Sequence, residues 1–438
     1  MPESKPSPPV SQRDIPAGNS VDFFREASPY IRQHRERVFV IAMPGEVLEQ
    51  ANFRRILQDI AIIVTLGVRV ILVHGTRPQI DNRLQTLQHP IHYHHDLRIT
   101  DSVALQAAKE ACGFVRIQIE NTLAYALSQR MNTVAGQHII SGNFVTARPV
   151  GILDGIDYGY TGQIRRINHQ AIRLQLENRN VVLLSPLGYS PSGEAYNLRY
   201  EQLTVETAQA LQADKVLFLS HTPLNLPTEL TLEEARQYPN AHALLPMMID
   251  ALQHKVERVH LLEAHLEGAL LLELYTRDGV GCMISANPFE SIRQATVEDI
   301  SGILEIIRPL EHSGTLVKRS REQLELEISN FQVVERDQQI IACAALYATD
   351  DPQISELACL AVHAHYRTAH RGEQLLNAIA KLAKAQGKTI LMVLTTQTTD
   401  WFRERGFVET GIDNLPANKR QLYNYKRNSK VLFKTLAQ

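Results

Sequence analysis

The stretch from Glu356 to Leu376 holds the residue types and spacing that come closest to chemistry. It reads Glu356-Leu-Ala-Cys359-Leu360-Ala361-Val362, then His-Ala-His-Tyr-Arg367-Thr-Ala-His370-Arg371-Gly372-Glu373-Gln-Leu-Leu376. A strand pattern enters a basic loop of small residues. The loop enters a helix whose apolar positions, 375, 376, 379, 382 and 383, form one face for a sheet. The first N–H groups of such a helix lack intrahelical partners and lie at the positive end of its macrodipole, so they favour an anion. Arg367, His370 and Arg371 add donors, and the set suits a pyrophosphate. Taken alone, the same residues also fit a surface turn with chance arginines.

The elements around this loop form an α/β block of about 145 residues, a comfortable domain size. Helices are predicted near Asp299–Ile307, Arg321–Ser329, Gly372–Gln386 and Asp400–Arg405. Strands are predicted at Phe331–Glu335, Ile340–Tyr347, Glu356–Val362, Thr389–Thr395 and, at the end, Tyr423–Phe433. Ala286-Asn287-Pro288 breaks the pattern before it, so residues 286–292 are read as a linker.

A larger α/β block precedes that linker, over residues 21–285. Val38–Met43, helix Phe53–Leu66 and Val68–Val73 make a βαβ unit, which requires a parallel sheet. Asp101 can cap a long helix, Ser102–Arg130. His138–Ala147 and Thr161–Arg166 are predicted strands, and helix–strand alternation continues through Ala269–Tyr275 and Val280–Ile284. Residues 1–20, rich in Pro and Ser, read as a disordered tail.

The 438 residues include 45 basic and 47 acidic side chains, net −2, so no bulk cationic field exists for nucleic acid or an anionic membrane. No apolar run approaches the ~18 residues of a membrane span. Four cysteines without a C-x-x-C pair argue against a disulfide scaffold, a zinc site or a redox dithiol, and fit reduced thiols in a cytoplasm.

The C-terminal block resembles the GNAT N-acetyltransferases. The family loop, Q/R-x-x-G-x-G/A, is matched by Arg367-Thr-Ala-His370-Arg371-Gly372, with His370 replacing the middle glycine. The later Gly-Phe signature is matched by Gly406-Phe407. This resemblance implies acetyl-CoA as a co-substrate, with no tightly bound cofactor and no metal. It lies between splayed strands Glu356–Val362 and Thr389–Thr395, contacting Leu360, Ala361 and Val362, Arg367, and the His370–Glu373 turn. A free N–H near Cys359–Leu360 would polarise the thioester carbonyl. An amine acceptor needs a base, and Glu356 is the first choice; a solvated strand-end glutamate is the alternative. The tyrosine that many members use as acid is replaced by Phe402, so Thr395 is the candidate donor unless it is an ordinary strand residue. Cys359 reads as a small residue lining the substrate site.

The whole chain, from about residue 21, resembles the bacterial two-domain N-acetylglutamate synthases. Matching segments include Val73-His-Gly-Thr-Arg-Pro-Gln-Ile80, Lys318-Arg319-Ser-Arg-Glu322 and Trp401-Phe402. The resemblance implies acetyl transfer to the α-amino group of L-glutamate, the first step of arginine biosynthesis, with Arg319, Lys318, Cys359 and Arg427 at the glutamate. It implies an amino-acid kinase-like N-terminal sandwich. Here the kinase Lys-x-Gly-Gly reads Ala42-Met43-Pro44-Gly45, so a lysine and one N–H are missing and a pseudokinase is expected. Relatives inhibited by arginine imply L-arginine as effector near Tyr30, Glu273, Gly279 and Gly281, and a homo-oligomer, a hexamer in those relatives. Three other readings remain at this stage: an acetylglutamate kinase, a non-catalytic arginine sensor that binds CoA, and a protein-lysine acetyltransferase.

Overall fold

The computed structural model describes residues 17–129, 137–238, 241–254, 256–286, 290–336, 339–367 and 370–436. The chain forms two compact units, residues 1–287 and 288–438.

The first unit is built on an eight-stranded sheet. Its order is Glu229–Thr231, Cys282–Ser285, Arg258–Glu263, Lys215–Ser220, Val38–Met43, Arg69–His74, Val181–Leu184 and Ile139–Ile140. Every described pairing is parallel except Arg258–Glu263 with Cys282–Ser285. Both faces are covered. Val40, Ala42, Ile71, Val73, Val182 and Phe218 enter one apolar core; Phe39, Ile41, Met43, Val70, Leu72 and Leu183 enter the other. Two buried faces explain why these strands read as unbroken apolar runs.

The second unit is a seven-stranded sheet with one parallel pair. Its order is Glu290–Gln294, Phe331–Arg336, Gln339–Ala348, Ile354–Val362, Ile390–Thr395, Lys430–Thr435 and Val408–Thr410. Helix Arg371–Ala385 fills one face through Leu375, Leu376, Ile379 and Ala383. Helices Ile300–His312 and Arg321–Glu327 cover the other through Ile303, Ile307 and Leu324.

Several predicted elements need correction. Residues 290–292 are not linker but the start of an edge strand, because Glu290 to Gln294 pair in register with Arg336 to Gln332. Residues 287–289 lie outside the described residues, as do residues 1–16 of the predicted tail. Residues 17–20 open a helix, Ala17–His34. The single strand predicted at 138–147 is two: Ile139–Ile140 extends the large sheet, and Val145–Pro149 joins a separate four-stranded one. The last strand starts at Lys430 rather than Tyr423. Residues 424–428 are tied into a turn by Arg427 and Asn428 N–H groups donating to the Asn424 carbonyl.

Candidate active site

The parallel pair in the second unit opens halfway along. Ile354 to Leu357 pair with Ile390 to Val393, and the ladder stops there while both strands continue. The cause lies on the other edge of the Ile354–Val362 strand. Ala358 faces Ala345 and Ala361 faces Cys343, so Cys359 and Leu360 together oppose Ala344. That is a β-bulge, which bends its strand and leaves the extra residue out of the ladder. Cys359 adopts φ 52°, the left-handed conformation that supplies the kink. Cys359 and Leu360, where a free N–H is expected, are the residues of this bulge.

A cavity of about 670 Å³ fills the opening. Among the residues singled out from the sequence, its wall holds Cys359, Leu360, Ala361, Val362, Arg367, His370, Arg371, Gly372, Glu373 and Thr395. His370 caps the Arg371–Ala385 helix with φ 55°. The residue that departs from the family glycine thus holds the left-handed conformation for which glycine is best suited. Its carbonyl accepts the Glu373 and Gln374 N–H groups. Arg367 is exposed at the cavity wall.

Arg371 needs correction as a side-chain phosphate donor. Its guanidinium is buried and bound by both oxygens of Glu290, and a further nitrogen donates to the Tyr366 carbonyl at 3.2 Å. Its place on the wall remains. Arg405, not singled out from the sequence, supplies a cation instead. It stacks 4.1 Å from the Trp401 ring centroid, reaches Glu373 at 3.3 Å, and keeps a buried Nε with no hydrogen-bond partner among the described residues. Arg405 lies inside the stretch of the Gly-Phe signature, but nothing in the spacing says which way it turns.

Thr395, also on the wall, accepts the Thr398 N–H at 3.2 Å and shares a 2.8 Å hydroxyl–hydroxyl contact with Thr398. Glu356 lies outside the wall, on the part of the strand that still pairs, opposite Tyr347 and Met392. Its carboxylate forms an ion pair with Lys419, a residue the sequence reading did not identify.

The basic residues predicted for the acceptor separate. Arg319 is half-buried: its N–H donates to Glu311 at 2.8 Å, its guanidinium donates to the Val317 carbonyl at 3.2 Å, and Tyr347 lies near it. The Tyr347 hydroxyl donates to Glu327 at 2.5 Å. Arg427 donates to the carbonyl of Thr315, a wall residue, and its buried Nε has no hydrogen-bond partner among the described residues. Lys318 is exposed and off the wall. Burial pushes the Cys359 thiol up to about 11, against the pull of Arg319, so it stays protonated and is no nucleophile.

In the first unit, a cavity of about 440 Å³ sits at the C-terminal ends of the parallel strands, lined by Pro44, Gly45, Thr76 and Ser220. No lysine is among its described lining residues. The predicted regulatory residues lie elsewhere. Glu273 is buried, 2.6 Å from His260, and accepts the Val280 and Gly281 N–H groups at 2.8 and 2.9 Å. A Cβ on Gly279 would come within 2.5 Å of that carboxylate, and one on Gly281 within 2.5 Å of the Leu261 carbonyl. Tyr30 packs on His34, which packs on Tyr275.

Sequence profiles agree with this division. That of the amino acid kinase family matches residues 37–263, and that of the acetyltransferase (GNAT) domain matches residues 327–409. An amino-acid acetyltransferase of Pseudomonas fluorescens is 46% identical over 95% of this chain and 99% of its own. That of Azotobacter vinelandii is 47% identical over the same shares. N-acetylglutamate synthase from Neisseria gonorrhoeae, solved with coenzyme A and L-arginine, superimposes with a TM-score of 0.88 at 37% identity, covering 95% of this chain and 99% of that one. The same enzyme with coenzyme A and N-acetyl-glutamate gives a TM-score of 0.60. With identity of this level running through both units, the chain belongs to the amino-acid acetyltransferases of the two-domain N-acetylglutamate synthase family.

Proposed function

We propose that the enzyme transfers the acetyl group of acetyl-CoA to the α-amino group of L-glutamate, and that this first step of arginine biosynthesis is feedback-inhibited by arginine. The observation that carries the reading is the opened strand pair, with a carboxylate at its closed end and Arg319 beside it. The donor's pyrophosphate meets the head of the Arg371–Ala385 helix, with Arg367 and Arg405 as cations. Its thioester carbonyl turns to the N–H groups of the bulge at Cys359–Leu360.

Glu356 takes a proton from the α-ammonium, directly or through water. The freed lone pair attacks the carbonyl carbon, the bulge stabilises the oxyanion, and the C–S bond breaks as the tetrahedral adduct collapses. Thr395, hydrogen-bonded to Thr398, hydrogen-bonds to the departing thiolate and relays to it the second proton that the adduct nitrogen sheds as the amide forms. Arg319 and Arg427 bind the two carboxylates of glutamate, a pairing that guanidinium geometry favours. Lys318, exposed and off the wall, adds positive charge next to Arg319 in sequence.

The first unit serves regulation rather than phosphoryl transfer, in line with a cavity wall that shows no lysine among its described residues. The Neisseria gonorrhoeae enzyme was solved with L-arginine, and arginine is proposed here to act through Tyr30 and the loop that Glu273 holds in shape around Gly279 and Gly281. The functional unit is a homo-oligomer.

The test is CoA release with acetyl-CoA and L-glutamate, product mass, and an arginine titration. Release dependent on glutamate, with N-acetylglutamate formed and arginine lowering the rate, supports the reading. CoA release independent of glutamate refutes the acceptor, and phosphorylation of acetylglutamate by ATP would restore the kinase reading.

A further inference from the structure

The carboxylate assigned as base is not alone on its strand face. Glu356 Oε2 lies against the ammonium of Lys419, from the short helix Ala417–Gln421. Both side chains are largely withdrawn from water, 12% exposed for Glu356 and 23% for Lys419. Lys419 reaches in from an independently fixed support. The Asn418 N–H donates to Asp350 at 3.0 Å, and the Arg420 guanidinium donates to the Leu415 carbonyl at 3.0 Å. The lysine ammonium also sits 5.6 Å from the Tyr347 ring centroid, which limits where it can go.

Few other groups act on this carboxylate. Tyr347 is its neighbour across the antiparallel ladder, and its hydroxyl is committed to Glu327. On the parallel side the neighbour is Met392, which is apolar. Along the strand stands Cys359, and around that thiol lie Arg319, Glu311 and Glu327. Of these groups, Lys419 is the one in contact with the carboxylate.

We propose that Lys419 is a positioning residue for the base: its ammonium, in contact with Glu356 Oε2, holds the carboxylate in place for the acceptor's proton. This rests on the reading of Glu356 as base. Proton transfer needs a carboxylate oxygen within reach of the ammonium proton, so the ion pair supplies the geometry and the neighbouring charge that the step uses. The same charge repels the incoming α-ammonium, which favours its loss of a proton.

The test uses the full-length protein with acetyl-CoA and glutamate, following kcat and kcat/KM from about pH 5.5 to 9. In Lys419→Met the acid limb of kcat/KM moves up by about one pH unit or more, the effect expected for losing an opposite charge in contact. The rate falls about tenfold on that limb and recovers toward the wild-type plateau at high pH. Lys419→Gln keeps a hydrogen bond without the charge and moves the limb in the same direction, while Lys419→Arg returns it. Acetyl-CoA affinity stays within about twofold in all three. A limb that does not move in Lys419→Met or Lys419→Gln, when Glu356→Gln has lost turnover, overturns the role of Lys419 and leaves the base in place. Full turnover and an unchanged acid limb in Glu356→Gln overturn the base itself.

Discussion

Arg371 and Glu290 clamp the head of the cofactor helix to the edge of the sheet. Arg371 Nε lies 2.8 and 2.9 Å from the two Glu290 oxygens, and Arg336 reaches the same carboxylate at 2.9 Å from the adjacent strand. Eighty-one positions separate the two clamped residues. The helix that offers its N–H groups to an anion is thus held by a largely buried charge network.

Glu290→Gln takes away the negative charge that two largely buried guanidinium groups share. Breaking a buried pair from one side costs roughly 3 kcal/mol or more, because the remaining charges stay desolvated. Trp401 is the only tryptophan in the chain and lies in this unit, so its fluorescence reports the loss in urea. The pH dependence has a fixed sign. Burial raises the Glu290 carboxyl, but the hydrogen bonds from Arg371 and Arg336 outweigh it and hold the group below its usual value. Its stabilisation is therefore present above the ordinary carboxylate pKa of about 4.5 and is lost as pH falls below that. An unchanged urea midpoint in the variant would remove the clamp.

This network also marks the limit of what the residues alone could say. The strands of the first unit were legible because both faces of their sheet are buried, so their sequences are continuously apolar. The cofactor loop was legible because one short segment carries strand, loop and helix together. Arg371 was misassigned because a local motif cannot reveal a partner 81 positions away. The strand from Glu290 was missed because it is an edge strand with mixed polarity, under an expected linker. Lys419 was invisible for a related reason: it comes from a five-residue helix near the chain end, and only the antiparallel return of Lys430–Thr435 beside Ile390–Thr395 brings that region to the site.

His370→Gly restores the residue type that the family loop carries at this turn. A non-glycine residue at φ 55° sits roughly 1 kcal/mol above glycine's cost, offset by the greater flexibility that glycine gives the unfolded chain. The variant should be as stable as the parent within about 1 kcal/mol and bind acetyl-CoA at least as well. His370→Val, branched at Cβ, should lose stability and donor affinity together. Calorimetric titration with CoA checks both, and equal binding by the valine variant would count against a backbone role for this turn.

Arg319→Ala removes a charged donor from the proposed carboxylate site. A hydrogen bond to a charged group contributes about 1.5–3 kcal/mol, so the glutamate KM should rise roughly 10- to 100-fold while the acetyl-CoA KM holds. Arg319→Lys should recover only part of this, since an ammonium cannot make the two-pronged contact. Steady-state kinetics with each substrate varied decide it, and a glutamate KM that does not move reassigns the site.

Glu273→Gln tests regulation apart from catalysis. The glutamate carboxylate is held ionised, down to about 2: burial acts against this, and His260 and the Val280 and Gly281 N–H groups overcome it. An amide keeps the shape but loses the charge and one acceptor. Turnover without arginine should stay near the parent value, and the arginine concentration for half-inhibition should rise at least tenfold. Unaltered inhibition would separate this loop from the effector.

The first unit should weaken in mild acid because it buries neutral histidines. Burial, with added repulsion from Lys215, brings His34 down to about 2, although its ring nitrogen lies 2.9 Å from the Leu274 carbonyl. Burial brings His74 down to about 4, where it contacts Ser185 at 2.8 Å. In the unfolded chain both take up protons near pH 6.5, which the native state refuses. Stability therefore falls as pH drops below about 6.5, levelling near 4 for His74 and continuing toward 2 for His34. The slope is about 1.4 kcal/mol per pH unit for each group, so moving from about pH 7 to 5 costs on the order of 4 kcal/mol for the two. Trp401 lies in the other unit, so far-UV circular dichroism in urea is the signal to follow. His34→Gln and His74→Gln each remove one proton-binding site from the unfolded chain and should each flatten the decline by about 1.4 kcal/mol per pH unit. A slope that neither substitution changes would mean that other groups govern the acid sensitivity of this unit.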